Sequence, residues 1–156
     1  MGVDNVNKAI DRTLRNTVHR EIGCFTDEVN KAEKIYFLTT VSSKRIATFF
    51  DSIKALPLSE NRSDITDRDL LIVFDSELNG NSRFYDLAAS FKNSSGHVAG
   101  IVVDRKLDYI AYVDELLGIN INQADIEKYE VDQIFGKTVD VLLDEVDKKV
   151  LHFEAK

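Results

Sequence analysis

Cysteine, proline and tryptophan are nearly or wholly missing from this chain, and each absence excludes something. Cys24 is the only cysteine. An intrachain disulfide and a cysteine-based metal site are therefore impossible. Cys24 itself reads as a small residue on a helix. Pro57 is the only proline and no low-complexity stretch divides the chain, so one domain over residues 1–156 is the simplest organisation. No apolar run approaches the ~18 residues that a membrane helix needs, and no signal-peptide core opens the chain. A cytoplasmic location without membrane contact is the expectation. Positive charge is also short, with 20 basic against 27 acidic residues and a formal net charge of −7. That balance argues against a direct nucleic-acid surface, which needs a concentrated basic face. No P-loop and no G-x-G-x-x-G is present, so nucleotide binding has no support. Asp, Glu and His show no metal-ligand spacing. No metal and no cofactor is expected.

What is present is a repeating pattern of short apolar runs and amphipathic segments. From Val6 to Val29 the apolar positions Val6, Ile10, Leu14, Val18, Ile22, Phe25 and Val29 step by three and four. This spacing predicts a long amphipathic helix over about 4–30, or two helices joined near Gly23. Its narrow apolar stripe suits contact with a second copy of the chain. Ile35–Leu38 is a continuous apolar run, the mark of a strand buried on both faces. It passes through Thr39, Thr40, Val41, Ser42 and Ser43 into a helical pattern (Ile46, Phe49, Phe50, Ile53, Leu56) that Pro57 is expected to end. Ser42 or Ser43 is the expected N-cap. Residues 58–69 read as a loop with room for a short edge strand.

The stretch from Asp69 to Lys92 contains the same sequence of parts. Leu70–Phe74 predicts a second buried strand. Asp75–Ser82 is a polar loop around Asn79-Gly80, and Phe84, Leu87, Ala88 and Phe91 mark a helix. Gly96 is the candidate left-handed cap after it. Val98–Val103 predicts a third strand, Tyr109–Val113 a weaker segment and Leu116–Ile119 a further strand. A closing helix is expected over about 125–150. The implied fold is α/β, a three-layer αβα sandwich whose core over about 34–120 holds a parallel sheet of about five strands. In such sheets ligands bind beyond the carboxyl ends of the strands, and both serine-bearing loops lie there.

The order of these parts resembles the SIS (sugar isomerase) domain, the phosphosugar-binding fold, over nearly the whole chain. IYFLTTVSSKRIATFF is similar to that family's first strand and its G-x-G-S-S turn. Ser42 and Ser43 match the two serines, while Thr39 and Val41 stand at the glycines. LLIVFDSELNGNSRFYDLAASFK lies on the family's S-x-S-G-x-T loop. Ser76 matches the first serine, whereas Leu78, Asn79 and Asn81 replace the second serine, the glycine and the threonine. The resemblance implies that hydroxyls and backbone N–H groups of the two loops hold a small phosphorylated sugar. The candidate ligand-binding residues are Thr39, Ser42, Ser43, Ser76, Asn79, Asn81 and Ser82, with Lys44 or Arg83 available to complement charge.

The resemblance also implies self-association as a dimer or tetramer. Catalysis has little support: the isomerases' S-G-E-T loop carries a glutamate where Gly80 stands. His19, His97 and His152 are scattered without partners, although His152 lies where hexuloisomerases carry a histidine. Glu77 is the one conceivable base. No catalytic residue is assigned. The expected function is a non-catalytic, sensing or regulatory domain that binds a phosphorylated sugar or related small anion. The alternatives are the effector domain of an RpiR-type transcription regulator, a divergent sugar-phosphate isomerase, and a scaffold whose pocket Leu78 and Val41 fill.

Overall fold

A computed structural model describes residues 4–17, 20–103 and 112–150. His19, His152, the start of the Tyr109–Val113 segment and the tail after Val150 lie outside the described residues. The elements run α1 (Val6–Asn16), α2 (Glu21–Lys31), β1 (Lys34–Thr39), α3 (Lys44–Ser52), β2 (Leu56–Pro57), β3 (Asp69–Asp75), α4 (Ser82–Asn93), β4 (His97–Val103), β5 (Glu115–Ile119), α5 (Gln123–Lys128) and α6 (Val131–Lys149).

The five strands form one sheet in the order β2-β1-β3-β4-β5, and every pairing is parallel. The α/β sandwich expected from the apolar runs is therefore the observed architecture. β3 is central, and all seven of its residues are buried. Side-chain alternation along it divides the core in two. Leu70, Ile72 and Phe74 face a cluster built from α1, α2, α3 and α6, whereas Leu71 and Val73 face a second cluster built on α4. A strand buried on both faces must be apolar at every position, which is why the run is unbroken.

Four local expectations are corrected. The leading segment is two helices, and the break lies between Asn16 and Glu21, leaving Gly23 inside α2. Thr17 caps α1 with extended backbone, so the hydrophobic stripe continues across a helix break that periodicity alone does not register. Cys24 lies on the exposed side of α2. α3 ends at Ser52, before Pro57: Lys54 turns the chain with a φ of 56° and Leu56–Pro57 becomes the short edge strand β2. Proline is tolerated at such an edge because no ladder N–H is required of it. After α4 the left-handed residue is Ser95 (φ 76°) rather than Gly96. At Gly96 the small side chain is what matters, since a Cβ would lie 2.3 Å from the Phe91 ring. The closing segment is also two helices, α5 and α6, separated at Tyr129–Glu130.

The chain leaves β1 outward to β2, then crosses back to β3 and continues to β4 and β5. The connections α3 and α4 consequently diverge to opposite faces. Between the carboxyl ends of β1 and β3 this opens a crevice, the position where open α/β sheets bind ligands.

Candidate functional site

Two loops and the first turns of α6 surround that crevice. The first loop, residues 40–43, follows β1. Thr39 closes its own turn, donating its hydroxyl to the Val41 carbonyl at 2.6 Å and accepting the Val41 N–H at 3.2 Å. Val41 is buried in the core. Ser42 is exposed. Ser43 is the N-cap of α3, accepting the Ile46 N–H at 3.0 Å, as a serine before a helical pattern should. Its hydroxyl proton goes to Asp140 of α6 at 2.7 Å.

The second loop, residues 76–81, is tied to the first and to α6. Ser76 is 1% exposed. Its hydroxyl donates to Asp132 at 2.5 Å, and its N–H donates to the Thr40 hydroxyl at 2.8 Å. The Thr40 and Ser76 oxygens are 2.7 Å apart. With the Ser76 proton committed to the carboxylate, Thr40 is the donor in that pair. Asn81 is the N-cap of α4, accepting the Phe84 N–H at 3.1 Å, and its amide donates to Glu77 at 2.6 Å. Gly80 has a φ of 75°, the left-handed region that glycine occupies without strain. Leu78, standing where the resemblance has a hydroxyl, packs against the larger core cluster. Asn79 and Ser82 are exposed.

Between Thr40, Ser42, Ser43, Asp132, Gly136 and Lys137 lies a cleft of about 390 Å³, within the range of small-molecule sites. Thr40, Ser42 and Ser43 line it directly, while Ser76 reaches it through Asp132. Thr39 borders an adjoining apolar groove together with Phe37, Phe50 and Leu56, and Val41, Ser42 and Ser43 line both. Arg83 points away, donating to the Ser59 carbonyl at 2.6 Å. Lys44 is exposed at the first position of α3.

Sequence reasoning did not single out Thr40, Asp75, Lys137, Asp132 or Asp140. Thr40 sat unmarked inside the first loop. Asp75 looked like an ordinary strand end, and Lys137, Asp132 and Asp140 like ordinary polar positions of an amphipathic helix, which only tertiary packing brings to the cleft. Arg45 fixes α6 beside it, donating to Asp144 at 2.8 Å and pairing with Asp147. The lining is acidic on balance, with Glu130, Asp132 and Asp140 against Lys137. His97 is remote, at the amino end of β4 near Asp114. Among the described residues no group of three His, Cys, Asp or Glu is placed to hold a metal, and no helix is long and apolar enough to cross a membrane.

Solved structures share the fold at low sequence identity. A protein described only as hypothetical superposes with a TM-score of 0.70 at 15% identity, over 94% of this chain and 87% of that one. The sugar isomerase domain of an RpiR transcription factor from Sphaerobacter thermophilus superposes with a TM-score of 0.60 at 8% identity, over 93% and 89%. The fold is that of the SIS domain. NanR of Vibrio vulnificus, solved in complex with ManNAc-6P, carries the same SIS fold with a TM-score of 0.60 at 14% identity. This chain covers 93% of its own length in that match and 62% of NanR. No protein-family model and no curated protein matches the sequence.

Proposed function

We propose that residues 1–156 form one non-catalytic SIS-fold domain that senses a small phosphorylated sugar, or a related small anion, in the cleft beyond β1 and β3. The observation that carries this reading is the convergence of the two hydroxyl-bearing loops at the switch point of the sheet, where Thr40 and Ser76 meet at 2.7 Å. The N-terminus of α3 and Lys137 supply the positive character an anion needs. Asp132 and Asp140 offer acceptors for sugar hydroxyls. The likeness to NanR, solved with a phosphosugar, favours the same ligand class. Two features favour binding without turnover. Glu77 is exposed and hydrogen-bonded to Asn81, and the only described histidine, His97, lies at the opposite edge of the sheet. Proton transfer between sugar carbons needs a base within reach of them.

Isothermal titration with a panel of hexose and amino-sugar phosphates tests the proposal. Saturable binding that weakens in Lys137→Ala is expected, together with no aldose–ketose interconversion by the same preparations. Absence of binding across the panel at millimolar concentration would refute the ligand reading, and turnover would refute the non-catalytic one. A cytoplasmic location and assembly into a dimer or tetramer belong to the same proposal, the latter checked by light scattering. The likeness to the RpiR sugar isomerase domain favours a second reading, in which ligand binding regulates a separate DNA-binding part. An in-frame helix-turn-helix segment in the gene upstream of Met1 is what that reading requires.

A further inference from the structure

The loop after β3 already contains an anion. Asp75 ends the strand and is 0% exposed. Its Oδ1 accepts the Glu77 N–H at 3.0 Å and its Oδ2 accepts the Asn81 N–H at 2.9 Å. The Gly80 N–H is also taken, by the Glu77 carbonyl at 3.0 Å, and the Phe84 N–H by the Asn81 side chain at 3.1 Å. Four N–H groups of this loop and the first turn of α4 thus have acceptors inside the fold, and two of them converge on one buried carboxylate. A phosphate on this loop could use those four N–H groups only by displacing the acceptors they already have. It would also lie near a carboxylate buried away from bulk solvent, where like charges repel most strongly.

We infer that Asp75 is a specificity-determining residue. Its carboxylate occupies the anion position of the β3–α4 loop from within, so the charged group of a ligand is held on the β1–α3 side. There Ser42 is exposed, the N–H groups of Lys44 and Arg45 open α3, and Lys137 lines the facing wall. The placement of a ligand on that side rests on the proposed phosphosugar reading, whereas the closure of the β3–α4 loop does not.

Amide NMR of the ¹⁵N-labelled full chain, titrated with inorganic phosphate and with a hexose 6-phosphate, tests the inference. In the natural protein the Ser42–Arg45 amides are expected to shift, and those of Glu77 and Asn81 to stay in place. In Asp75→Ser, phosphate is expected to move the Glu77 and Asn81 amides, with an affinity at least about tenfold above that of the natural loop, or about 1.4 kcal/mol. Asp75→Asn, which keeps one acceptor oxygen and removes the charge, gives the same readout if the serine variant does not fold. Saturable shifts of Glu77 and Asn81 in the natural protein would overturn the inference, as would a folded variant whose loop ignores phosphate. Silence throughout the natural spectrum agrees with the closed loop and refutes the phosphosugar reading, so the two fail separately.

Discussion

At the scale of single residues, the site is a set of hydroxyls and N–H groups whose partners are mostly supplied by the protein. Ser76 is the central case, buried between Thr40 and Asp132. Removing its hydroxyl strands an acceptor on Asp132 and a donor on Thr40. Ser76→Ala is expected to cost about 1–3 kcal/mol, the penalty for leaving buried polar partners unmade, as measured by urea denaturation; a loss below ~0.5 kcal/mol would mean that water replaces the contact. The capping roles of Ser43 and Asn81 were legible in the sequence, because a short polar side chain before a helical pattern has one favourable use. The partners Asp132 and Asp140 were not, since nothing local distinguishes a helix aspartate that meets a loop from one that meets solvent. Asp75 was hidden for the same reason: at the end of an apolar run it looks like the start of a loop, yet it is fully buried.

At the scale of elements, α1 is attached through a charged network rather than through its apolar stripe alone. Arg12 donates to Asp125 of α5 at 2.6 and 3.1 Å and to Asp4 at 3.0 Å, while Lys128 donates to Asp4 at 3.2 Å. The Arg12 hydrogen bond, followed by that from Lys128, holds the Asp4 carboxyl at about 2 instead of its ordinary 3.8. A lowered carboxyl pKa contributes stability above the ordinary value, and the contribution is lost as pH falls through the folded value. Protection of the α1 amides against exchange is therefore expected to fall as pH drops from the ordinary value of 3.8 to about 2, and Asp4→Asn to remove that pH step while leaving lower protection throughout. An unchanged pH profile in Asp4→Asn would count against this attachment. Periodicity predicted the helical stretches well but missed both breaks, after Asn16 and after Lys128. The apolar spacing runs on across each break, because both helices of a pair pack on the same sheet face.

At the scale of the whole molecule, β3 holds the two halves of the core together. Phe74 is 0% exposed and stacks on Phe50, ring centres 5.2 Å apart, at the base of the crevice. Phe74→Ala is expected to destabilise the fold by about 3–5 kcal/mol through lost burial and the cavity left behind, measured as a lower midpoint of thermal unfolding. Because Phe74 immediately precedes Asp75 and Ser76, the same change is expected to loosen both loops. A variant with native stability would show that the central strand tolerates a void there.

The sequence by itself determined the strand and helix order, the parallel α/β architecture and the two loops that border the crevice. Those follow from apolar periodicity and polar punctuation, which are local and survive at 8–15% identity to solved structures that share the fold. Tertiary structure alone decided how the loops are satisfied. Hydroxyls and N–H groups that could face a ligand are instead shared with Asp75, Asp132 and Asp140. Which acceptor reaches which donor depends on ångström-scale packing between elements tens of residues apart, and no spacing along the chain encodes it.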